Sequence, residues 1–98
     1  MTLLRFEWDI KKAASNLRKH GVSFEEAETV FLDEEAILIP DEEHSGEEDR
    51  FIVLGLSYQL RMLVVCHCYR ESDELIRIIS ARKANKGEQM QYPQRRQR

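Results

Sequence analysis

With 98 residues, the chain has room for one small sheet and a few helices, so a single domain is expected over residues 1–92, followed by a basic flexible tail at 93–98. A hydrophobic fraction of 42% beside 34% charged residues fits a water-soluble chain, and no apolar run approaches the roughly 20 residues that cross a bilayer. Membrane partners are therefore not expected, and with Met1–Trp8 patterned as a strand rather than a leader, a cytoplasmic location is. The net charge of −3 is unevenly spread: residues 1–32 balance, residues 33–49 carry −9, and residues 50–98 carry +6. A polyanion such as RNA would be drawn to that last half.

In chain order, Leu4, Phe6 and Trp8 alternate with Leu3, Arg5 and Glu7, the period of a half-buried strand. Asp9 is a candidate N-cap for a helix over Ile10–His20, which Gly21 would end as a left-handed C-cap. Lys19 and His20 fall in its last turn, where the helix dipole favours cations. Ser23 and Glu26 have capping-box spacing and open a second helix, Phe24–Leu32, whose stripe of Phe24, Ala27, Val30 and Phe31 is expected to lie with the first helix on one sheet face. Ala36–Ile39 is a short strand, and the acidic stretch Asp41–Asp49 is loop-like, with His44 assigned no role.

Arg50–Ser57 is a further strand, and Tyr58–Leu60 turns it into a hairpin of Arg61–Tyr69 and Leu75–Ser80 around a polar turn at Arg70–Glu74. Alternation assigns Met62, Val64, Cys66 and Cys68 to one side and Arg61, Leu63, Val65, His67 and Tyr69 to the other. In the second strand it separates Ile76, Ile78 and Ser80 from Leu75, Arg77 and Ile79, so that Arg61, His67 and Arg77 are expected to share a face. After Ser80 the segment 81–92 is helix-compatible despite Gly87, and Pro93 ends it. The fold class is thus α+β: a small antiparallel sheet with two N-terminal helices on one face and a C-terminal helix.

Cys66 and Cys68 stand two apart on one strand, a poor geometry for a mutual disulfide, and are expected to be core thiols of a reducing compartment. No metal-ligand spacing or phosphate-binding glycine loop is present, so neither metal nor cofactor is expected. What remains is Arg61, Arg77, Arg82 and Lys83 near one half of the sheet, with His67 and, from the first helix, Lys19 and His20. Guanidinium groups neutralise phosphate and an imidazole moves protons. That set suits metal-free RNA cleavage in which the RNA's own 2′-hydroxyl attacks the adjacent phosphate. On the bland alternative His67 is a core histidine and the arginines pair with acids.

The segments FEWDIKKAASNLRKHGVSFEEAETVF at Phe6–Phe31, EEDRFIVLG at Glu47–Gly55 and RIISARKA at Arg77–Ala84 resemble the BrnT family of type II toxins, over about Phe6 to Tyr92. The resemblance implies a RelE-like fold and an endoribonuclease that inhibits translation by cutting RNA, including ribosome-associated mRNA. It also implies a BrnA-like ribbon-helix-helix antitoxin through which the pair binds operator DNA. The resemblance matches Lys19, His20, Arg61 and the block Arg77 to Arg82; with the residue pattern it puts catalytic roles on Arg61, Arg77, His20 and, from the pattern alone, His67, and RNA binding on Lys19, Ser80, Arg82 and Lys83. Loss of toxicity is expected for Arg61→Ala or Arg77→Ala. A catalytically inactive module that binds RNA or antitoxin within a DNA-binding repressor complex is the alternative. Two positions depart from the family pattern: Gln59-Leu60 where glycine is common, and Gly87 where a basic residue usually precedes the helix glutamate.

Overall fold

The computed structural model describes residues 4–44, 46, 48–71 and 74–93; all but the first residue of the expected tail at 93–98, and the centre of the 70–74 turn, lie outside them. Five strands form one sheet in the order β1-β5-β4-β3-β2, from β1 (Arg5–Glu7), β2 (Ile37–Pro40), β3 (Phe51–Leu56), β4 (Met62–Arg70) and β5 (Leu75–Lys83). β2 to β5 run antiparallel to their neighbours, as expected, whereas β1 lies parallel to β5, with Arg5, Phe6 and Glu7 opposite Leu75, Ile76 and Arg77. The sheet is therefore mixed. Its parallel edge is β1, from which the chain crosses through the helices to β2 at the opposite edge.

Both N-terminal helices form where their caps direct. Asp9 Oδ1 accepts the Lys11 and Lys12 N–H groups at 2.8 and 3.2 Å, and α1 (Ile10–His20) ends at Gly21, whose φ of 70° is left-handed. Ser23 Oγ accepts the Glu26 N–H at 3.0 Å to open α2 (Phe24–Thr29), which tightens into a 3-10 turn at Val30–Leu32. These helices bury Val22, Phe24, Ala27 and Val30 against Val53, Leu63, Val65, Ile76, Ile78 and Ala81 of the sheet. Gly55 permits the closest approach, since a Cβ there would stand 2.9 Å from both Val30 Cγ1 and Ala36 Cβ.

The C-terminal segment corrects one expectation. Ala81–Lys83 continues β5 instead of starting a helix, because Val64 and Leu63 of β4 extend opposite Arg82 and Lys83 and offer a ladder to complete. The last helix is only α3 (Lys86–Gln89), opened by a full capping box in which Asn85 Oδ1 accepts the Glu88 N–H and Glu88 Oε1 accepts the Asn85 N–H, both at 2.8 Å. Tyr92 then packs with Leu54, Met62, Val64 and Ala84 on the sheet face opposite α1 and α2. Its hydroxyl donates to Asp33 Oδ2 at 2.6 Å, while Asp33 also accepts from the Leu56 and Glu35 N–H groups.

Candidate active site

A β-bulge decides which side chains meet. Cys66 lies opposite Ser80 and His67 opposite Ile78, so Ile79 is an extra residue in β5 and the alternation of the strand reverses there. Ile76, Ile78 and Ala81 consequently face the helices, whereas Arg77, Ser80 and Arg82 share the other face. Simple alternation had separated Ser80 from Arg77, which the bulge reverses; it had also grouped Arg77 with Arg61 and His67, which the hairpin register overturns by setting Arg77 opposite Cys68.

β1 ends at Glu7, so among the described residues β5 beyond Arg77 has a strand only on its β4 side, and α1 covers its outer edge. Asn16 substitutes for the missing strand: its Nδ2 donates to Ala81 O at 2.8 Å and to Val22 O at 3.0 Å, and its Oδ1 accepts the Ala81 N–H at 3.1 Å. Around this joint, Lys12, Ser15, Lys19 and His20 of α1 and Ile79 and Ser80 of β5 line a solvent-open cleft. The one-turn and two-turn spacing of Lys12, Ser15 or Asn16, and Lys19 puts them on a single helix face.

The end of α1 is held by Arg61. Its Nη2 donates to Gly21 O at 3.1 Å, its Nε donates to Glu26 Oε2 at 2.9 Å, and a second Nη2 bond goes to Glu26 Oε1. Glu26, only 2% exposed, also accepts from Ser57 Oγ at 2.6 Å. Its carboxylate thus turns inward instead of closing the capping box that its spacing with Ser23 suggested. The Arg61 guanidinium foremost, with Ser57, holds the Glu26 carboxyl below the ordinary range against the opposing effect of burial; the field of Lys83 acts in the same sense. Lys83 itself is exposed at the end of β5.

A second cleft opens on the opposite sheet face, with Arg82, Arg50 and His44 at its rim, and it shares Ile79 and Ser80 with the first. Arg82 is fixed by Glu88, which accepts from Nη1 and Nη2 at 2.8 Å each. That pairing holds Arg82 firmly charged and lowers the Glu88 carboxyl. Cations and the accessible histidines His20 and His44 therefore border β5 from both sides, an arrangement suited to a phosphodiester backbone and to proton transfer.

A profile of the ribonuclease toxin BrnT of type II toxin–antitoxin systems matches residues 8–88. The chain belongs to the BrnT family. Among solved structures it is similar to the crystal structure of the Brucella abortus ribonuclease toxin BrnT, with 25% sequence identity over 85% of this chain and 99% of that one and a TM-score of 0.65. No curated protein matches. Membership makes the chain a toxin ribonuclease, with RNA as its substrate and an antitoxin as its partner.

On this BrnT fold the expected residues divide. Lys19, His20 and Ser80 share the first cleft, and Arg82 lies in the adjoining one. Arg61 reaches the same corner, but through the Gly21 carbonyl and bound to Glu26. Arg77 does not join them: it lies on the opposite face from Arg61, with Nη1 donating to Glu7 Oε2 at 2.8 Å across the parallel β1–β5 pair. His67 is 0% exposed, enclosed by Phe31, Phe51 and Tyr69, with Nδ1 donating to Val65 O at 3.2 Å and Nε2 facing the Tyr69 hydroxyl at 3.4 Å. Burial lowers its affinity for a proton. It is a core histidine, and the expected meeting of Arg61, Arg77 and His67 at one phosphate does not occur. Both cysteines are poor nucleophiles, because burial chiefly, with Asp41 near Cys66 and Glu48 near Cys68, raises their thiol pKa values. Sequence reasoning missed Lys12, visible as a helix-face neighbour of Lys19, and missed Asn16 and Glu26, whose roles depend on distant partners.

Proposed function

We propose that this BrnT chain is a metal-independent endoribonuclease in which His20 is the proton-transfer group and Lys12 and Lys19 neutralise the scissile phosphate. The supporting observation is the common cleft of Lys12, Lys19, His20 and Ser80 on the edge of β5. The 2′-hydroxyl oxygen attacks phosphorus, its proton leaves to a base, and the P–O5′ bond breaks as the 5′-oxygen gains a proton. The products are a 2′,3′-cyclic phosphate and a 5′-hydroxyl end. Cations beside the non-bridging oxygens stabilise the charge that develops in between. Lys83 grips the flanking backbone, and Arg82 meets the RNA in the adjoining cleft. Arg61 acts as a positioning residue for the α1 terminus; Arg77 and His67 are assigned structural roles.

In the cytoplasm such cleavage of mRNA, on ribosomes or free, would halt translation, and a BrnA-like ribbon-helix-helix antitoxin would cover the cationic edge and carry the pair to operator DNA. A second reading, an inactive module that binds RNA or antitoxin within the repressor complex, draws on the commitment of Arg61 to Glu26 and Arg77 to Glu7. Incubating the purified chain with RNA in excess EDTA separates the two. Cleavage is expected to persist in EDTA and to fall roughly 10²–10⁴-fold in His20→Ala. Loss of all cleavage in EDTA, or full activity in His20→Ala, would overturn the proposed site.

A further inference from the structure

The geometry points to the second cleft, on the sheet face away from α1 and α2, as a binding pocket for a single guanine base of the RNA next to the cleaved phosphate. Ile52, Val64 and the bulged Ile79 give it an apolar part, beside Cys66 and Ser80, while His44, Arg50, Arg82 and the Asp41 carboxylate are its charged or ionisable groups. An apolar floor with a few oriented polar groups is what a heterocycle requires. The open cleft has a volume of about 220 Å³, equal to roughly seven liquid waters, enough for one base. Because Ile79 and Ser80 also line the His20 cleft, a strand whose phosphate lies at Ser80 can lay its next base here.

Selectivity comes from the donors that Arg82 has left. Nη1 donates to Glu88 Oε1 and to Lys83 O, and Nη2 uses one N–H on Glu88 Oε2. Five N–H groups less these three leave Nε–H and one Nη2–H, which lie side by side on the guanidinium edge. Two parallel donors match the O6 and N7 acceptors of guanine; adenine offers a donor and an acceptor on that edge, uracil has no adjacent acceptor pair, and the one pair of cytosine, N3 and O2, lies beside the ribose instead of on the outer edge of the base. Glu88, itself held by the Asn85 cap, fixes the fork before RNA arrives. His44 is oriented as well, since its Nδ1 donates to both Asp41 oxygens at 3.0 and 3.1 Å and the imidazole, 62% exposed, is free to lie against the base.

This inference rests on the proposed RNA path, and its test does not require turnover. Titration of the His20→Ala chain with 3′-GMP, 3′-AMP, 3′-CMP and 3′-UMP, followed by amide NMR, is expected to shift Ile52, Cys66 and Ile79 with 3′-GMP, which binds roughly tenfold tighter than the others. Replacing 3′-GMP by its 7-deaza analogue, which lacks N7, is expected to abolish that advantage without any change to the protein. Arg82→Lys, which keeps the charge and loses the fork, should do the same. Equal binding of the four nucleotides, shifts confined to other parts of the sheet, or undiminished binding of the 7-deaza analogue would overturn the pocket. Cleavage by the wild-type chain in EDTA tests the catalytic site separately, so a failure of one is distinguishable from a failure of the other.

Discussion

Arg61 and Arg77 are both β-sheet arginines paired with a glutamate, yet their environments make them unequal. Glu26 is buried beneath Arg61, whereas Glu7 and Arg77 are each about a third exposed. Removing Arg61 leaves a buried carboxylate without its cation and frees the Gly21 carbonyl, a loss of about 3 kcal/mol. Arg77→Ala removes a partly solvated pair worth less than about 1 kcal/mol. Urea denaturation is expected to show this order, and RNA cleavage to fall in Arg61→Ala while Arg77→Ala stays near wild type. Equal losses of activity would place Arg77 in the site. Leu60 offers a contrasting case: its φ of 61° is left-handed and its side chain is 79% exposed, so Leu60→Gly is expected to raise stability by up to about 1 kcal/mol in the same assay.

Between helix α1 and strand β5 the decisive joint is one amide. Asn16 satisfies both backbone groups of Ala81 where β1 has already ended, and so fixes the helix that carries Lys12, Lys19 and His20 against the edge that carries Ser80. Asn16→Leu keeps the volume and leaves the buried Ala81 N–H and C=O unpaired, at about 1–3 kcal/mol each. Faster hydrogen exchange at Ala81, with cleavage reduced, is expected. Unchanged exchange would show that water or a shifted helix supplies the missing bonds. The bulge at Ile79 acts on the same strand, because it turns Ser80 and Arg82 to the face opposite Ile78 and lets β5 border two clefts.

Across the fold, acid should act in two stages. His67 is buried neutral with a lowered pKa, so its contribution is complete above the unfolded imidazole value of about 6.5 and is lost as pH falls below it. Glu26 is held low chiefly by Arg61; Asp33 is also lowered, since burial alone would raise it but the Leu56, Tyr92 and Glu35 donors outweigh that effect. Their contribution is present above the unfolded carboxyl values near 4 and is lost as pH falls through the lower folded ones. The Tm is therefore expected to drop between pH 7 and 5 and again below pH 4. His67→Phe should remove the first step and leave the second. A Tm flat from pH 8 to 5 would contradict the burial of a neutral His67.

Local signals in the chain were enough for most elements. Asp9 and Gly21 bound α1, Ser23 opens α2, and alternation in Arg50–Ser57 and Arg61–Tyr69 yields β3 and β4, because caps and side-chain period act over a few residues. The Lys19-His20 corner was likewise legible from its place in the last helical turn. The parallel docking of β1, the bulge that turns Ser80 and Arg82 away from the helices, the burial of His67 and the inward turn of Glu26 depend on partners up to 70 positions away in sequence, as with Glu7 and Arg77. Strand register and charge pairing are settled when distant segments pack, and no local pattern records which face a side chain takes once one residue is added to a strand.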